Sequence, residues 1–92
     1  MKIGEKEFTV KITNRSIINI EEVFDKPISD VMTDLPNKNT TGKCLFISTA
    51  MGNPEVNEDY IIDNSTPKEI VNLSEYIGLE ILKAFGIDLK KK

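Results

Sequence analysis

The chain contains no histidine. That removes the commonest general base near neutral pH, the usual hydroxyl–imidazole and thiol–imidazole pairs, and the commonest metal ligand. The side chains left with chemical reach are Cys44, Ser29 beside Asp30, and the acidic stretch 55–63. Cys44 is the sole thiol, but it stands in the most apolar run of the chain, Cys44-Leu45-Phe46-Ile47. In such a setting a cysteine is an inert small hydrophobe, because an apolar surround disfavours the thiolate that does the chemistry. The acidic stretch has the composition of a calcium loop but not its register. Such a loop needs oxygen ligands at alternate positions and a glycine at the sixth. Counted from Asn57, the fifth position is Ile61 and the sixth Ile62. The carboxylates therefore read as a solvated helix face.

Ser29 has one further reading. Acyl carrier proteins attach phosphopantetheine to a serine that follows an aspartate, as Asp-Ser-Leu. Here the order is Ser29-Asp30-Val31, reversed, and the simpler role for Ser29 is a helix N-cap. The five glycines are scattered and form no phosphate-binding loop. No catalytic residue, cofactor site or metal site is expected.

The remaining properties point to surfaces. Ninety-two residues correspond to one domain with one thin core. Hydrophobic residues make up 39% and charged residues 29%, the balance of a globule rather than a disordered chain. The net charge is −3, and without the terminal Lys90-Lys91-Lys92 it would be −6, so a phosphate-backbone binder is not expected. One cysteine precludes an internal disulfide and suits a reducing compartment. No run approaches the ~20 apolar residues of a membrane span, and the first residues lack the apolar heart of a signal peptide. The expected location is the cytoplasm, with neither nucleic acid nor membrane as partner.

The elements follow from spacing and punctuation. Phe8, Val10 and Ile12 alternate with Glu7, Thr9 and Lys11, the period of a half-buried strand. Gly4-Glu5-Lys6 can turn a hairpin, with Lys2-Ile3 as its first arm, so residues 1–13 are expected to form a β-hairpin lying on helices. Thr13 or Asn14 can cap a helix over about Arg15–Asp25, with Ile17, Ile20, Val23 and Phe24 on one face and Pro27 at its end. A short helical turn after Ser29 places Val31, Met32 and Leu35 inward. Residues 36–40 are a loop. Lys43–Met51 is predicted helical because Gly52 stands where a helix C-cap glycine would, with Pro54 two residues on. Val56 and Tyr60-Ile61-Ile62 make a short acidic helical piece. The expected fold is mainly α: about four helices over residues 14–86, the longest C-terminal, then a Lys-rich tail 87–92.

The last helix carries the clearest signals. Thr66 and Glu69 form a reciprocal capping box, Pro67 occupies the first helical position, and Gly86 closes the helix. At 100° per residue, Ile70, Val71, Leu73, Ile77, Ile81, Leu82, Ala84 and Phe85 cover about half the circumference. Gly78 falls inside that stripe, where a close helix–helix approach can offset its poor propensity. Tyr76 and Leu79 fall on the other face among Lys68, Asn72, Glu75 and Lys83, and are the candidate partner-binding residues.

In element order the chain resembles the tail assembly chaperones of long-tailed bacteriophages and of related prophage and gene-transfer particles. The resemblance runs over roughly residues 6–86. It rests on the strand Glu7-Phe8-Thr9-Val10-Lys11-Ile12 and on a helix entering Ile20-Glu21-Glu22-Val23-Phe24-Asp25-Lys26-Pro27-Ile28. It rests also on the middle helix ending at Gly52-Asn53-Pro54, on the short acidic helix, and on the long final one. There are two departures: many members carry Leu-Gly where this chain has Phe24-Asp25, and the chain is short. The family habit of a longer frameshifted product fits the second, since a lysine-coded end is a candidate slip site. The resemblance implies a non-catalytic role, coating the helical tape-measure protein until tail-tube protein displaces it, with self-association a further expectation. The competing expectation is a small acidic helical adaptor or regulatory protein unrelated to phage.

Overall fold

The computed structural model describes residues 1–87. It is mainly helical: a two-stranded hairpin, β1 (Lys2–Ile3) and β2 (Lys6–Glu7), precedes five helices. These are α1 (Asn14–Phe24), α2 (Ile28–Asp34), α3 (Thr40–Met51), α4 (Glu58–Asn64) and α5 (Pro67–Ala84), with a single 3₁₀ turn (Leu35–Asn37) after α2. The Lys-rich tail from residue 88 lies outside the described residues. Among them, no helix is long and apolar enough to cross a membrane.

The middle of the fold is α3. Cys44, Phe46, Ile47 and Ala50 are buried, and most of its other side chains are half-buried. A helix apolar nearly all round must be covered on several sides, and α5, α1 and α4 all pack against it. Its ends are fixed locally. Asn39 Oδ1 accepts from the Gly42 N–H at 2.8 Å, and Gly52, at φ 62°, closes the C-terminus by donating to the Ser48 carbonyl at 3.1 Å. The preference for helix over strand in this run therefore holds.

At the N-terminus, Gly4 and Glu5 form the two-residue turn and pair Ile3 with Lys6 and Lys2 with Glu7. Gly4 sits at φ 65° and its Cα faces Asn64 and the Tyr60 hydroxyl, so a Cβ there would lie 3.1 Å from Asn64 Cβ. Glycine is needed both for the turn and for the approach to α4. Tyr60 donates its hydroxyl to the Ile3 carbonyl (2.9 Å), and its ring meets Phe8 edge-on at 6.1 Å. The expected strand over residues 8–12 is not part of a ladder; the hairpin ends at Glu7. Yet its alternation survives in burial: Phe8 buried, Val10 and Ile12 half-buried, Thr9 and Lys11 exposed. In this antiparallel hairpin Phe8 stands opposite Met1 and exchanges backbone hydrogen bonds with it, and β1 offers no partner opposite residues 9–12.

The Ile20-to-Ile28 stretch is a corner between two helices. Thr13 caps α1 through a reciprocal pair with Ser16, at 3.3 and 3.1 Å. The helix ends at Phe24, with Asp25 left-handed at φ 55° and the Lys26 N–H on the Glu21 carbonyl. Ser29 is not a cap. Pro27 precedes α2, and the orphan N–H of Ile28 is taken by Glu21 Oε2 at 2.9 Å, reaching across from α1. Ile20 is fully buried beneath, whereas Val23, expected inward, is exposed at the edge of the apolar arc. Asp34 bridges Lys26 (3.2 Å) and Lys38 (3.4 Å), and the Lys38 ammonium lies 4.4 Å from the centre of the Phe24 ring.

Candidate functional site

The outward face of α5 is the candidate site. The helix starts as expected: Thr66 Oγ1 accepts from the Glu69 N–H (3.2 Å) and Glu69 Oε1 accepts from the Thr66 N–H (2.8 Å). It ends in a Schellman closure, with the Gly86 N–H on the Lys83 carbonyl and the Ile87 N–H on the Leu82 carbonyl, both 2.9 Å. Between these caps Ile70, Leu73, Ser74, Ile77, Gly78 and Ile81 are buried. Ser74 satisfies its hydroxyl on the Val71 carbonyl at 2.9 Å.

Tyr76 is 42% exposed and Leu79 47% exposed, on the side of α5 away from the core. Three residues apart, their side chains diverge by about 60° around the axis. Tyr76 borders a shallow groove of about 460 Å³ lined by Met1, Lys2, Glu69, Asn72 and Leu73, beneath the hairpin. Leu79 lies about 80° around the axis from Val71, which is also exposed. Val71, Ala84 and Phe85, placed in the buried stripe by the sequence, are on the surface. Val71 sits at the stripe's edge, 100° from Ile70. The C-terminal pair lies beyond the last buried position, Ile81. There Phe85, 56% exposed, borders a small depression of about 110 Å³ with Ile12, Ile17 and Ala84. The core stripe is thus narrower than expected and the apolar outer surface wider.

Elsewhere the polar groups have structural roles. Asn57 caps α4 by accepting from the Tyr60 N–H at 2.8 Å, and Glu58 and Asp59 follow in its first turn, where the helix dipole favours negative charge. Among the described residues no group of three or more His, Cys, Asp or Glu side chains is arranged to hold a metal ion. Cys44 is fully buried; that burial, and secondarily the Glu58 carboxylate, push its thiol above the ordinary value. Ser29 is exposed as the second residue of α2, and its carbonyl accepts from the Thr33 hydroxyl at 2.9 Å. Asp34 is held below the usual carboxylate range by its hydrogen bond to Lys26, then by that lysine's charge and by Lys38. Cys44 lies in α3, and Ser29 and Asp34 lie near opposite ends of α2.

The sequence signal for the outer face was the position of Tyr76 and Leu79 opposite the apolar arc. The sequence reading missed Val71, because a residue at the margin of an arc is assigned inward or outward only by the neighbouring helix. Compared with family models, with curated proteins and with solved structures, the chain finds no match.

Proposed function

We propose that this chain is a non-catalytic binder of helical polypeptide, acting as a tail assembly chaperone of a long-tailed phage or prophage in the host cytoplasm. Its partner on this reading is the tape-measure protein, with tail-tube protein displacing it later. The supporting observation is the division of labour on α5: one face completes the core, while Val71, Tyr76 and Leu79 remain on the other. An extended helical partner presents apolar stripes that associate unless covered, and a helix face of this kind covers them by side-by-side packing. The element order from hairpin to long final helix supports the same reading. So does Asp25, which stands left-handed where many of the family carry glycine, the residue that conformation favours. No metal, cofactor or nucleic acid takes part.

The test is co-expression with a tape-measure protein and recovery of the complex. Tyr76→Glu and Leu79→Glu are expected to reduce recovery at least tenfold while leaving the helical circular dichroism unchanged. Full recovery with both variants folded would remove this face from the site. Failure of the parent chain to co-purify, or to keep the tape-measure protein soluble, would remove the chaperone reading and favour a helical adaptor.

A further inference from the structure

We propose that Glu7–Lys11 is an open strand edge that pairs antiparallel with the same segment of a second copy, about a two-fold axis through Thr9. The backbone pattern sets up the edge. The Phe8 N–H donates to the Met1 carbonyl (2.7 Å) and the Met1 nitrogen to the Phe8 carbonyl (2.9 Å). Along a strand, successive residues direct their N–H and C=O to opposite sides. With Phe8 turned toward β1, Glu7, Thr9 and Lys11 turn theirs away from it. Among the described residues, no loop or side-chain hydrogen bond engages these three N–H groups, and the Lys11 carbonyl is met only by Ser16 Oγ at a long 3.5 Å. Thr9 and Lys11 are exposed and Glu7 is 72% exposed at its side chain, while Phe8, Val10 and Ile12 hold the segment to the core. An unpaired row of donors and acceptors in a β-branched, alternating segment is a template for another strand.

Charge names the occupant. Only registers that place Glu7, Thr9 and Lys11 opposite one another match both backbones. Centred on Thr9, each Glu7 faces the other copy's Lys11, giving two cross-strand ion pairs with the threonines paired between them. Shifted to centre on Val10, Lys11 faces Thr9 and Glu7 faces Thr13, and both ion pairs are lost. Glu7 Oε2 already accepts from the Met1 nitrogen at 2.6 Å, which leaves Oε1 for the lysine. Both halves of each pair reside in one strand in mirrored positions, as a self-complementary edge requires. This inference is independent of the tape-measure reading, because the chain alone is the whole system.

The experiment is sedimentation velocity on the full chain from micromolar to millimolar concentration, with circular dichroism on each variant. The parent is expected to show a reversible monomer–dimer equilibrium. Thr9→Pro removes the central donor and is expected to give monomer. Lys11→Glu sets like charges opposite each other twice and is expected to weaken the dimer by about tenfold. Glu7→Lys combined with Lys11→Glu restores the pairing and with it the parent's dissociation constant. A parent that is monomeric throughout overturns the proposal, even if the edge then captures another chain's extended segment. A dimer indifferent to Lys11→Glu, or not restored by the double exchange, overturns it equally, and this arm stands if Thr9→Pro fails to fold.

Discussion

Gly78→Ala is expected to stabilise the protein. Glycine in a helix interior is about 1 kcal/mol less favourable than alanine, so this position calls for a steric reason. An alanine Cβ at Gly78 would meet one group within 4 Å outside its own helix backbone and chain neighbours, Met32 Cε at 3.4 Å. That is ordinary van der Waals contact with the end of a flexible side chain, not an approach of two backbones. The close helix contact that the sequence suggested is therefore absent, and no clash opposes the gain in propensity. The net effect is about 1 kcal/mol of added stability, which for a domain of this size raises the melting temperature by about 4–8 °C. Thermal and urea unfolding followed by circular dichroism measure it, with the urea midpoint rising and the slope unchanged. A lower melting temperature, or none of the expected rise, would show that Met32 cannot yield and that the glycine makes room for it.

Three other outcomes follow from named contacts. Tyr60→Phe keeps the edge-on ring contact with Phe8 but removes the hydroxyl that Ile3 accepts, so urea unfolding should show a loss of about 1 kcal/mol. Asp34→Asn should flatten the acid limb of the stability profile: the folded carboxyl titrates below its unfolded value, so its contribution is present above that ordinary value and fades as pH falls through the lowered one. Parent and variant curves converging at the acid end, in urea titrations across pH, would bear this out, and curves parallel at every pH would refute it. Cys44 should resist a thiol reagent in native buffer and react fully in denaturant, since the raised thiol is also fully buried. Labelling as fast as a free thiol would place it at the surface.

Local chemistry was the legible part of the sequence. The Thr66–Glu69 box, the Thr13 cap and the glycines ending α3 and α5 depend on residues within a few positions of one another, and each stands where spacing puts it. Long-range partners were not legible. Nothing in the residues near Ile28 announces that its N–H is satisfied by Glu21 from another helix, and Ser29 looks the better cap until that contact is known. Likewise, the alternation of residues 8–12 reports which side chains face inward, but a ladder needs a second strand, and β1 is too short to supply one. Val23, Val71 and Phe85 failed for a shared reason: the width and length of a buried stripe are set by the helices opposite it. Tyr76 and Leu79, being far from any arc margin, were read outward without that knowledge.

The bond between Tyr60 and Ile3 joins residues 57 positions apart. On a ribosome adding about 5–20 residues per second, that interval lasts on the order of 3–11 seconds. Until it ends, the segment around Ile3 and Phe8 lacks the phenol ring that seats it. The β-prone segment 8–12 thus exists before the residue that ties the hairpin to α4. The hairpin is therefore seated late in synthesis, after its own residues and those of α1 to α3 have been made.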